Sequence, residues 1–182
     1  MINNRINKLV SKFNKYDIDG YIIPKNDEFF SEYSANDRLK TISNFSGSAG
    51  YSIILKKKNY LFVDGRYTIQ AKKEAGKNFQ IIDFHKIINC NLFKNLSIGF
   101  NPKFFTSIQI KKFFNKHNKV KSIESNLIDQ IHKSKIKSNK PFFSLKSKVV
   151  GENYKTKIIK IRKYLNKNKS DYLFVTAPEN VA

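Results

Sequence analysis

The sequence is poor in residues that staple or punctuate a small secreted fold. It has one cysteine, Cys90, four prolines, seven glycines and no tryptophan in 182 residues. A lone thiol excludes an internal disulfide framework and fits a reducing compartment. Acidic side chains are scarce, 14 against 35 lysines and arginines, which leaves a formal charge of +21. No apolar run approaches the roughly 20 residues of a membrane span. The N-terminus, Met-Ile-Asn-Asn-Arg-Ile-Asn-Lys, is polar and has no continuous apolar centre of the signal-peptide kind. The expectation is a soluble, cytoplasmic chain that avoids membranes.

Arginine is scarce too. Only Arg5, Arg38, Arg66 and Arg162 occur, and the lysines are spread along the whole chain. A surface that reads bases wants guanidinium forks, which match guanine edges in pairs as ammonium groups do not. The charge therefore reads first as a solvated lysine surface, and a lysine-rich nucleic-acid-binding domain is the weaker alternative.

What is abundant is core material: 40% apolar residues, sixteen of them phenylalanine. Ile6, Leu9, Val10 and Phe13 recur at helical spacing. Gly20 interrupts them, and Tyr21 to Pro24 reads as a short buried strand. Tyr51–Leu55 and Tyr60–Val63 flank Lys56-Lys57-Lys58-Asn59, the pattern of a β-hairpin. Arg66–Ala75 is a helix predicted to close on a left-handed Gly76. Phe79–Phe84, Ser97–Phe100 and Lys119–Ile123 are further strands. Thr106 caps a helix carrying Ile110, Phe113 and Phe114, and Asn126–His132 forms a last short helix. Strands alternating with helices give an α/β fold, and the hairpin makes its sheet mixed, flanked by helices.

The pattern fails between Lys133 and Val150, where lysine, serine, asparagine and Pro141 dominate. We expect a first domain over 1–136, a linker over 137–151 and the beginning of a second, similar domain over 152–182. A slide of 152 places sets Ile158, Ile161 and Leu165 on Ile6, Leu9 and Phe13, and Tyr172–Val175 on Gly20–Ile23. About thirty residues cannot bury a core, so the second unit reads as cut short.

Candidate chemistry is thin. His85, His117 and His132 are far apart with no carboxylate motif around them, Cys90 reads as a small core residue, and nucleophile-elbow, Walker A and dinucleotide fingerprints are absent. Ser46-Gly47-Ser48-Ala49-Gly50 imitates a phosphate cradle, yet it leads into a strand where such a loop needs a helix N-terminus. Two stretches stand out. One runs from Arg38 through Phe45, Ser46, Gly47, Ser48, Ala49 and Gly50 to Tyr51, with small residues that permit tight turning. The other is Phe62-Val63-Asp64-Gly65-Arg66-Tyr67-Thr68-Ile69-Gln70-Ala71, a strand that ends in Asp64-Gly65 and enters a helix at Arg66-Tyr67. There the carboxylate can cap the following helix, with Arg66 as its partner.

In this order and spacing the pair resembles the N-terminal domain of the creatinase/prolidase/aminopeptidase P family, with its Phe-Thr-Gly-Ser-Ala-Gly and Thr-Asp-Gly-Arg-Tyr stretches. Ser46 and Val63 stand where the family has threonine. Asp19–Pro24 and Ser31-Glu32-Tyr33 look like the family's first strand and the segment after it. Asn126–Ile131 is similar to the close of the first domain in cytosolic, three-domain Xaa-Pro aminopeptidases, with His132 where a tryptophan is usual. Gly151-Glu152 and Ala177-Pro178-Glu179-Asn180-Val181-Ala182 look like the start of that subfamily's second domain.

The resemblance implies a C-terminal catalytic domain of pita-bread fold. Two divalent metal ions, manganese by preference, would be held there by five side chains, none of which has a counterpart in this chain. No catalytic or metal-binding residue is therefore assigned here. The resemblance further implies a homodimer acting on peptide substrates, in which such N-terminal domains build the dimer and limit access to the cleft. Arg38, Phe45–Gly50 and Asp64–Tyr67 are the candidate interdomain, intersubunit or substrate-access residues. The alternative within the same fold is a non-catalytic peptide- or histone-binding module.

Overall fold

The computed structural model describes residues 2–88, 90–114, 117–133, 141, 143–176 and 180. The chain divides into two compact units, Met1–Ile136 and Lys137–Ala182.

The first unit opens with helices α1 (Ile2–Val10) and α2 (Phe13–Tyr16), which turn at a left-handed Asp17 into strand β1 (Gly20–Pro24). Helix α3 (Arg38–Ser43) precedes β2 (Gly50–Leu55) and β3 (Asn59–Val63). A 3₁₀ turn, Gly65–Tyr67, feeds α4 (Thr68–Ala75), then β4 (Gln80–Asp83) and a second 3₁₀ turn, Phe84–Ile87. Strand β5 (Ser97–Phe100), the 3₁₀ turn Pro102–Phe104, α5 (Ser107–Phe113), β6 (Lys119–Ser122) and α6 (Leu127–Ile131) complete it.

The six strands form one sheet in the order β4-β3-β2-β1-β5-β6. Strand β2 runs antiparallel to β1 and β3, whereas β3/β4, β1/β5 and β5/β6 are parallel. The expected hairpin is present, and the sheet is mixed because of it. Strand β1 lies in the middle with all five residues buried, which explains its unbroken apolar run. Its alternate residues serve opposite faces. Tyr21 and Ile23 join Leu9, Phe13, Ile42, Phe45, Leu61, Ala71 and Leu127 under the helices α1, α3, α4 and α6. Ile22 joins Ile53, Phe62, Phe104, Ile110 and Phe113 on the face covered by α5 and the 3₁₀ turns. Cys90 is buried in that second layer, and burial pushes its thiol up. Strand β6 is the exposed edge, and Lys119 and Lys121 on it discourage further pairing.

Gly76 stays right-handed at φ −60°, contrary to the expected left-handed cap. The Ala75 carbonyl already accepts from the N–H groups of Asn78 and Phe79, so the helix end needs no left-handed residue. Asn44 at φ 65° plays that part instead, closing α3 by donating to the Lys40 carbonyl. Thr106 does cap α5, in a reciprocal box with Gln109.

In the second unit, α7 (Ser147–Val150) lies inside the stretch expected to be linker, and α8 (Tyr154–Lys167) is capped by Asn153. Residues 137–140 and 142 of that expected linker, and all of Ala177–Ala182 except Asn180, lie outside the described residues. Tyr172–Val175 does not form the expected strand. It joins no ladder among the described residues, and Tyr172 is 91% exposed. A strand exists only through a neighbour that takes up its backbone groups.

Asn101 joins the sheet to its last helix. It is 2% exposed, donates from Nδ2 to the carbonyls of Ile123 (3.0 Å) and Glu124 (2.8 Å), and accepts from the Lys103 N–H. Replacing Asn101 with Ala leaves buried carbonyls without a donor and should lower stability by about 2–3 kcal/mol in urea unfolding followed by circular dichroism. A loss below about 0.5 kcal/mol would remove Asn101 from this role.

Candidate functional site

The carboxyl ends of β1, β3, β4, β5 and β6 and the start of β2 lie along one edge of the sheet, since Pro24 pairs with Tyr51, Gly50 with Val63 and Val63 with Asp83. In open α/β sheets this edge is where the loops that do chemistry or make contacts gather. Both conspicuous sequence stretches converge on it.

Asp64 ends β3 and caps the following turn. Its Oδ1 accepts from the Arg66 N–H at 3.0 Å and from Arg66 Nε at 2.9 Å. The side-chain bond first, and then the backbone bond, hold the Asp64 carboxyl below its usual range. The same pairing pushes the Arg66 guanidinium up. Both side chains are open to water, so the pair fixes geometry more than it stabilises. On the neighbouring parallel strand Asp83 repeats the device, accepting from the His85 N–H at 2.9 Å.

The turn capped by Asp64 delivers Tyr67 into the Phe45–Gly50 loop. The Tyr67 and Phe45 rings meet edge to face, 5.8 Å apart at 75°, and the Tyr67 hydroxyl lies 2.8 Å from Ser48 Oγ. Arg66 lies over the outer side of the same ring, 5.5 Å from its centre. Gly47 is required by this crowding: a Cβ there would stand 2.3 Å from Phe45 Cζ and 3.0 Å from Tyr67 Cδ1. Gly50 allows β2 to approach β3, where a Cβ would meet the Phe62 carbonyl at 2.9 Å.

Helix α4 holds the other side of the loop with Glu74, which sequence reasoning missed, and with Gln70, which lay in the second conspicuous stretch but was given no role. Glu74 accepts from the Ser46 N–H and from its hydroxyl, each at 2.8 Å, and Gln70 donates to both Ser46 Oγ and Glu74. Burial works against the Glu74 carboxylate, yet the bonds from the Ser46 N–H, Gln70 and the Ser46 hydroxyl outweigh it and hold the group below its usual value. The available signal was their i, i+4 spacing on one helix face. Arg38 stands apart from this junction. It grips Asp129 with two nitrogens at 2.8–3.1 Å and lies 4.6 Å from the centre of the Phe104 ring, while Asn36 donates to the same carboxylate. That anchor ties the start of α3 to α6. Beside it, Asp27, Glu28, Phe29 and Asn36 help line a cavity of about 190 Å³. Phe29 is 70% exposed, and Tyr33, in the same loop, 80%.

Among the described residues no three His, Cys, Asp or Glu side chains converge as a metal would need. Asp64 and Asp129 each face an arginine instead. Of the candidate residues, Phe45–Gly50 and Asp64–Tyr67 thus meet in one junction, and Arg38 lies outside it.

Residues 5–131 match the creatinase/prolidase N-terminal domain. The chain is 30% identical, over 98% of its length, to a probable Xaa-Pro aminopeptidase P of Laccaria bicolor, and covers 30% of that protein. It is 27% identical over its whole length to Xaa-Pro aminopeptidase 1 of Dictyostelium discoideum, covering 32% of it. The chain therefore spans about a third of the length of these curated relatives. Among solved structures it shares its fold with a Caenorhabditis elegans X-prolyl aminopeptidase described as a cytosolic enzyme with a di-nuclear active site. That similarity has a TM-score of 0.63 at 23% identity and covers 94% of this chain and 32% of that one. The N-terminal domain of the cytoplasmic peptidase PepQ from Mycobacterium tuberculosis, at TM-score 0.55 and 18% identity, covers 71% of this chain and 98% of that one.

The depressed Glu74 carboxyl fixes a pH signature. A group whose folded value lies below its ordinary 4.5 stabilises fully above that value and loses its share as pH falls through the depressed one. Glu74→Gln should be less stable than the parent by about 1 kcal/mol at pH 7. That gap should close as pH drops below 4.5; a gap constant from pH 7 to pH 3 would contradict the assignment.

Proposed function

This chain belongs to the creatinase/prolidase N-terminal domain family, and on that footing we propose that it is the N-terminal, non-catalytic portion of an Xaa-Pro aminopeptidase. The parent enzyme would remove the residue that precedes proline at a peptide's N-terminus. Its bond-breaking machinery, with two divalent metals and manganese the expected ion, would reside in the part of the relatives that this chain does not match. Residues 152–182 would open a second unit of the same kind. In support, the Laccaria bicolor and Dictyostelium discoideum relatives match 98% or more of this chain while the domain match stops at residue 131. The enzyme would be a cytoplasmic homodimer, the compartment supported by the cytosolic neighbour.

The observation that carries the reading is the junction itself. Phe45–Gly50 and Asp64–Tyr67 are locked together at the carboxyl edge of the sheet. Phe29, Phe30 and Tyr33 are exposed in the loop that follows β1 at this same edge. Asp27, Glu28 and Glu32 accompany them, in a chain whose charge is otherwise strongly positive. Rigid loops beside exposed aromatics suit contact with a catalytic domain or second subunit, and through it control of peptide access. A nucleic-acid role is disfavoured because three of the four arginines serve internal partners: Arg5 the Thr41 carbonyl, Arg38 Asp129 and Arg66 Asp64.

The 182-residue chain incubated with manganese should leave an Xaa-Pro tripeptide intact. Release of the first residue at a rate abolished by chelator would show that the chemistry resides in this polypeptide and overturn the proposal.

A further inference from the structure

At the opposite edge of the sheet the β2–β3 hairpin turn overhangs an apolar groove of about 330 Å³. Leu55, Tyr60, Leu92, Phe93 and Leu96 line it, with Tyr60 and Phe93 stacked 6.0 Å apart. Lys56, Lys57 and Lys58 form its rim, all three exposed. Asp19, also on the rim, is occupied: one oxygen accepts from the Ser97 N–H at 2.9 Å and the other faces Lys56 at 3.4 Å. Lys57 and Lys58 have no acidic partner among the described residues.

Three adjacent lysines on a hairpin are ordinarily a solvated turn. Here they crown a hydrophobic hollow, in which Leu92 remains 42% exposed. An apolar floor with two unneutralised ammonium groups at its mouth is complementary to a ligand with an apolar tail and one anionic head. We propose that this groove binds a medium-chain carboxylate, with its acyl chain along Leu55, Leu92, Phe93 and Leu96 and its carboxylate at Lys57 and Lys58. The site lies at the far edge of the sheet from the Phe45–Tyr67 junction and does not depend on the aminopeptidase reading.

Decanoate is the probe, titrated into the 182-residue chain while leucine methyl NMR signals are followed. The expected result is saturable shifts centred on Leu55, Leu92 and Leu96, weakened by added salt. Decyltrimethylammonium, with the same tail and the opposite charge, should bind at least about tenfold more weakly, and so should decanoate to the Lys57→Glu/Lys58→Glu variant. Lys57 and Lys58 are exposed, so the variant should keep the parent's circular dichroism and melting temperature. Leu92→Asp, also at an exposed position, should weaken decanoate while leaving the fold intact. Equal affinity for the cationic probe, unchanged binding by the double variant, shifts centred elsewhere, or no saturable binding would each overturn the proposal.

Discussion

Tyr67 is held by its ring against Phe45 and by its hydroxyl at Ser48, and this contact makes two sequence-distant loops into one body. Everything around it is arranged to permit the approach. Gly47 leaves the space that the Phe45 ring occupies. Asp64 turns the chain at the end of β3 so that Tyr67 enters from the correct side. Glu74 and Gln70 clamp Ser46 from α4. The interaction is local and modest in energy, since an edge-to-face pair and one hydroxyl bond amount to about 1–2 kcal/mol. Its consequence is geometric.

The sheet supplies the rigidity on which that contact relies. Strand β1 is central and buried on both faces, so the loops leaving it are anchored on a packed layer. Because β2 runs against its neighbours while β1, β3, β4 and β5 run together, the strand ends that carry Asp64, Asp83 and Asn101 all emerge on one edge. The hairpin turn with its lysines is sent to the other. The two edges therefore differ in chemistry. One gathers acids and exposed aromatics, the other an apolar groove rimmed by ammonium groups.

Features carried by neighbours in sequence were legible before the fold was known. The hairpin around Lys56–Asn59, the Thr106 cap and the Asp64–Arg66 cap all depend on residues within a few positions of each other, and all three are present. Helix α3 was not anticipated, although Asp37 caps it and Leu39 and Ile42 give its buried spacing; the small residues after it read as one long turn. The Arg38–Asp129 anchor could not be read, because its partners are 91 positions apart and only the fold brings them together. Gly76 failed as a left-handed cap because glycine permits that conformation without requiring it. Tyr172–Val175 has the composition of a strand but no ladder, and composition alone does not pair a backbone.

The two loops act as one body, and a double-mutant cycle on Ser48→Ala and Tyr67→Phe tests that most directly. Each change removes one hydroxyl without opening the core. If the 2.8 Å contact joins the loops as described, the two losses should be coupled by about 0.5–1 kcal/mol in denaturant unfolding. Losses that simply add, within about 0.3 kcal/mol, would mean that the loops lie side by side without holding each other, and the junction would cease to explain the site.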